Sequence, residues 1–246
     1  MYRTLDSDKI VQTLDRLQQR IAARFPNAGL VKVCGELVEI ARQSDRRARA
    51  ISRPAYLLRL VTFAMIGLGV ATLCYLGLLV IETKKSSDDL FSTIQGIEAT
   101  FNIVVLMGAA MFFLVRIEER VKRARALQAL NELRSIVHVV DMHQLTKDPM
   151  MIDGPRSSAS PSRTMTAFEL TRYLDYCSEM LSLTAKIAAL YAQSTSDDVV
   201  IDAASDLSTL TTNLSSKIWQ KITLVQASGR FADGRIGGFA AGPTQG

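Results

Sequence analysis

Apolar and polar positions alternate along this chain in three distinct patterns. Residues 5–25 place Ile10, Leu14, Leu17, Ile21 and Phe25 at steps of three and four. That spacing predicts an amphipathic helix, with Asp6 or Ser7 at its cap. The turn sequence PNAG at 26–29 breaks it. Leu30, Val33, Leu37 and Ile40 then resume a helical stripe that runs into an arginine-rich segment ending near Pro54. Residues 1–54 therefore form an N-terminal region of amphipathic helices.

The second pattern is unbroken apolarity. Residues 60–81 carry no charge over 22 positions, about 33 Å as a helix, enough to cross a bilayer core of about 30 Å. Residues 99–115 form a second run of 17, short but within the permitted range for a span. Together 55–115 read as a transmembrane hairpin with an external linker at 82–98. Small residues within the runs, among them Gly67, Gly69, Ala71, Gly108 and Ala109, permit close backbone approach in lipid.

The third pattern is a return to helical periodicity. Ile117, Val121, Ala124, Leu127, Leu130, Leu133, Val137 and Val140 keep one stripe, and no glycine or proline interrupts from 109 to Pro149. One helix is predicted to leave the membrane and continue as a stalk over 116–146, its stripe buried against other helices or a second copy. A Pro/Gly/Ser-rich loop at 147–165 follows. Residues 166–228 predict an antiparallel helical hairpin. Thr166 and Glu169 form a capping box at its start. Leu170, Leu174, Cys177, Leu181, Thr184, Ala188 and Tyr191 form its first stripe, widened by Tyr173, Met180, Leu183, Ile187 and Leu190. Thr195 or Ser196 caps its second helix, striped by Val200, Ala204, Leu207, Leu210, Leu214, Ile218, Ile222 and Val225. Residues 229–246 turn to glycine and alanine and are expected to be disordered. The fold class is an all-α membrane protein: a two-helix transmembrane hairpin, a cytoplasmic helical bundle, and a long helix continuous with the second span.

Charge fixes the expected orientation. Arg42, Arg46, Arg47, Arg49, Arg53 and Arg59 precede the first run, and Arg116, Arg120, Lys122, Arg123 and Arg125 follow the second. The linker has only Lys84 and Lys85 against Glu82, Asp88, Asp89 and Glu98. Basic flanks stay on the cytoplasmic side, so both termini are expected there, with the lipid bilayer as a partner. The arginines before the first run are suited to anionic headgroups. No aromatic residues interleave them and no docking motif appears, which excludes a nucleic-acid reading.

Candidate chemistry is sparse. Cys34, Cys74 and Cys177 lie far apart without a CxxC pair, so neither a disulfide framework nor a zinc site is indicated. No Asp, Glu, Lys, Arg or His lies inside either apolar run, which argues against a pump. Both histidines fall in HVVDMHQLTKDP at 138–149. Arg134, His138 and Asp141 share a helical face and permit a small polar or pH-responsive cluster that would include His143. The two histidines stand about 140° apart around a helix and would not chelate one metal. No cofactor is implied, and no phosphate loop, GxSxG or HExxH appears.

At VDMHQLTKDP, FELTRYLDYCSEMLSLTAKIAALYAQ and KIWQKI the chain resembles an uncharacterised group of bacterial inner-membrane proteins with two transmembrane helices. The resemblance implies a bacterial plasma membrane and carries no activity or site residue. The preferred functional expectation is a non-enzymatic membrane anchor or scaffold whose cytoplasmic helices bind other proteins or form a homo-oligomer. An oligomeric channel and a membrane-linked cytoplasmic sensor are the alternatives.

Overall fold

A computed structural model of the protein describes residues 4–52, 56–84, 90–145, 147 and 165–232. All the regular structure among them is helical. In chain order the elements are α1 (Ser7–Arg24), α2 (Gly29–Ser52), α3 (Tyr56–Lys84), α4 (Leu90–Leu145), α5 (Ala167–Gln193) and α6 (Asp198–Ala232). They fall into two compact units, one of residues 1–50 with 126–246 and one of residues 51–125.

In the first unit α5 is the central helix. Its predicted stripe and the five residues that widen it are all buried, so it takes neighbours on several sides. α6 packs along it as the antiparallel partner, and α1 packs on it as well. Polar ties add to these contacts and bring in α2. The Tyr191 hydroxyl donates to Ser44 of α2 at 3.1 Å, and Arg20 of α1 pairs with Glu179 of α5. The core is aliphatic and tyrosine-rich: Leu14, Leu17, Leu37, Leu133, Leu181 and Ile187 are fully enclosed together with Tyr176 and Tyr191. Each such side chain contributes about 1.5–3 kcal/mol by leaving water.

Local chemistry sets the helix ends. Asp6 accepts from the amides of Asp8 and Lys9 and caps α1. The Thr166–Glu169 capping box closes both ways. At α6 the cap is Asp197 instead of the expected Thr195 or Ser196: its carboxylate accepts from the Val199 and Val200 amides at 3.1 and 3.3 Å. Thr195 serves the turn, accepting from the Asp197 amide. A carboxylate also suits the positive helix end better than a hydroxyl. The α6 helix continues through Gly229 to Ala232, four residues into the region expected to be disordered. One glycine costs a helix only about 1 kcal/mol, too little to end this one. The rest of that tail, the loop at 148–164 and Pro54 lie outside the described residues.

In the second unit α3 and the first part of α4 face each other across a groove lined by Met65, Ile66, Gly69 and Leu73 on α3, and by Val104 and Met107 on α4. Gly69 sits so close to Met107 that a Cβ there would collide with the thioether. The outer faces are apolar and uncovered: Phe63, Leu68, Phe101, Leu106, Phe112 and Phe113 are all exposed. The stretch Ile94–Leu145 of α4 is long and apolar enough to cross a membrane by length and composition, and Leu60–Tyr75 is a shorter apolar helical stretch.

α4 runs without a break for 56 residues, about 84 Å. It begins nine residues before the expected span, inside the expected linker. Its stripe changes character along the way. Ile117, Val121 and Ala124 are exposed, whereas Ala126, Ala129, Leu130, Leu133, Ile136, Val137 and Val140 are buried. Burial of the stalk thus starts about two and a half turns later than the periodicity alone predicts.

Candidate functional site

The predicted cluster lies on the last turns of α4, and the helix distributes its members differently from the expectation. Arg134 and His138 are exposed and make no hydrogen bond or ion pair with each other or with Asp141. Asp141 instead accepts from the side-chain amide of Gln144, three residues on, at 2.6 Å. His143 points a different way from His138, as their 140° separation requires. It meets α5 through a 3.4 Å contact between Nδ1 and the Tyr173 hydroxyl. Its ring also lies against the start of α2, where a Cβ on Gly29 would stand 2.7 Å from His143 Cε1. Glycine at 29 is what allows this approach.

The residue at the centre is Gln144, only 2 % exposed. Its carbonyl oxygen accepts from Lys221 Nζ of α6 at 2.7 Å, and the same ammonium bonds the Gln144 backbone carbonyl at 3.1 Å. Lys221 therefore satisfies a buried amide and an end carbonyl of α4 with one cation, at the helix terminus where positive charge is favoured. The Lys147 backbone N–H bonds the same carbonyl, and its ammonium lies 5.4 Å from the Tyr173 ring centre. Phe25, at the end of α1, meets that ring edge-on with centroids 5.6 Å apart. Five helices thus converge on one polar knot: α1, α2, α4, α5 and α6.

Burial, and then the charge of Lys147, push the His143 pKa below its usual value, because a second cation there is poorly solvated. Burial raises the Tyr173 hydroxyl, so it stays protonated. Cys177 and Cys34 are pushed up to about 12 by burial, which removes both thiols as nucleophiles at neutral pH. No group of three His, Cys, Asp or Glu side chains that could hold a metal exists among the described residues.

A second polar seam joins α2 to its neighbours. Arg47 donates to Glu132 of α4 at 2.6 Å and to Gln43 at 2.8 Å. Arg42 holds Asp15 of α1 at 3.0 Å. Asp45 accepts from Ser7 and Arg49, and the Ser7 bond chiefly lowers its pKa. Arg42, Arg47 and Arg49, which the sequence offered to lipid headgroups, are therefore engaged by carboxylates of their own unit.

Sequence reasoning missed Gln144, Lys221, Tyr173 and Lys147 as partners. For Gln144 a signal existed: it continues the Leu133, Val137, Val140 stripe, so a polar group was due inside the core. For Lys221 there was none, because its partner lies 77 residues away. Comparison with protein-family models, curated proteins and solved structures gives no match.

Proposed function

We propose that this protein is a non-enzymatic membrane anchor that presents a helical scaffold for association with proteins or with further copies of itself. In this reading α3 and the first part of α4 cross a bacterial plasma membrane as a hairpin, and the five-helix unit stands on the cytoplasmic side with both termini.

The observation that carries it is the division of α4. One unbroken helix shows Phe101, Val104, Val105, Leu106, Met111, Phe112 and Phe113 to the outside, then forms a buried wall from Ala126 to Gln144. A long apolar surface without cover is costly in water and normal in lipid. The Gly69–Met107 contact supports a hairpin, since small residues permit such packing in lipid. The buried polar groups Ser44, Gln144 and Thr184 find hydrogen-bond partners within the five-helix unit, which supports reading it as a packed scaffold.

Alkaline carbonate extraction of native membranes, followed by in-cell crosslinking of the retained protein, tests the proposal. Retention in the pellet, with crosslinks mapping to the five-helix unit, is the expected result. Release into the supernatant removes the anchor. A monomer with no specific neighbour removes the scaffold.

A further inference from the structure

Directly beyond the exposed apolar part of α4 stand Arg116, Arg120 and Arg123, all solvent-exposed. At 100° per residue they fall within about 60° of one another on the helix surface. They span about 10 Å along its axis. The segment 116–125 holds five basic residues against Glu118 and Glu119. Glu118 is taken by Lys122 at 2.8 Å, on another face. Glu119 touches Arg116 at 3.5 Å, a pair in which the Arg116 side chain remains 64 % exposed. The Arg116 guanidinium also lies 5.2 Å from the centre of the exposed Phe112 ring. Ile117 and Val121, both exposed, flank the arginines on one side. The surface is therefore aromatic below, aliphatic to one side and cationic along a narrow stripe.

We propose that Arg116, Arg120 and Arg123 form a docking stripe for acidic phospholipids. The inference rests on the reading that α4 crosses a bilayer. The apolar run ends at Val115, immediately before Arg116, which puts the stripe at headgroup depth while its aliphatic stems stay against the acyl boundary. Guanidinium groups bind phosphate through two parallel N–H bonds. A zwitterionic headgroup brings its own ammonium to compete for that phosphate, and an acidic one does not. The chemistry thus favours phosphatidylglycerol or a related acidic lipid over phosphatidylcholine.

The test is native mass spectrometry of the full chain in detergent, titrated with phosphatidylglycerol or phosphatidylcholine. Carbonate extraction is run in parallel. The wild type should prefer the acidic lipid by about tenfold or more, each arginine contributing about fivefold near an anionic surface. R116Q/R120Q/R123Q should bring the ratio close to one. R16Q/K32Q/K217Q, which removes three exposed cations elsewhere, should retain the preference. An equal loss in that control would make the effect one of net charge and overturn the stripe. So would a wild type without preference that still resists carbonate, an outcome that leaves the anchor standing. A changed oligomeric mass with unchanged lipid counts would assign the stripe to a protein neighbour and likewise overturn the proposal. Release by carbonate removes anchor and stripe together.

Discussion

Lys221→Met should unlatch the end of α4. The Gln144 side chain is 2 % exposed, and its carbonyl oxygen takes its 2.7 Å bond from Lys221. Methionine preserves the aliphatic stem and removes the donor, so a buried acceptor loses its partner. Such a loss costs about 1–3 kcal/mol. The backbone carbonyl of Gln144 keeps the Lys147 amide, so the side-chain acceptor dominates the cost. For a protein of this size each kcal/mol moves the melting midpoint by about 2–4 °C, and a mid-range loss should lower it by about 4–8 °C. The assay is far-UV circular dichroism of the full chain in detergent during heating. Lys217→Met, exposed one turn earlier on α6, is the control and should stay within about 0.5 kcal/mol of wild type. Gln144→Leu with Lys221→Met should be more stable than Lys221→Met alone, because donor and acceptor leave together. A Lys221→Met protein that melts with the wild type, or a double variant worse than the sum of the single ones, would refute the latch.

Further predictions follow from other contacts. Gly69→Val should cost the α3–α4 pairing about 1–3 kcal/mol through overpacking against Met107. Gly67→Val, which meets nothing within 4 Å, should be tolerated; protease resistance in nanodiscs reads both, and equal sensitivity would contradict the packing. His143 binds a proton less readily when folded than its ordinary value of 6.5. The unfolded chain therefore takes up protons first as pH falls. Stability held above pH 6.5 should decline below it, down through the folded-state value, and His143→Gln should flatten that slope in melts from pH 8 to 5. Cys34 and Cys177, buried and pushed up to about 12, should ignore a water-soluble disulfide reagent at pH 8 until denaturant is added.

Periodicity made the helices of the first unit legible because each has one partnered face. Every residue of the α5 stripe from Leu170 to Tyr191 is buried, and α1 buries Ile10, Leu14, Leu17 and Ile21 as spaced. What local pattern could not give is partner identity. Ile117 and Val121 carry the same spacing as Leu133 and Val137, yet only the latter pair is buried. The cluster at the end of α4 was visible as a concentration of polar groups. Its wiring was not: Asp141 turns to Gln144, His143 to Tyr173 and Gly29, and Lys221 arrives from a distant helix. Arginine count alone also could not name carboxylate partners, since Arg42 and Arg47 find Asp15 and Glu132 only once α1, α2 and α4 have packed.

On the proposed reading α4 begins in lipid and ends in protein. Spin labels placed singly from Phe101 to Leu127, with the full chain in nanodiscs, measure it through accessibility to oxygen and to a water-soluble nickel chelate. Oxygen should dominate from Phe101 to Phe113, nickel should rise sharply between Arg116 and Arg123, and both should fall with helical periodicity once Ala126 is reached. Strong nickel access at Val105, Leu106 or Phe112 would place that stretch in water and contradict the account.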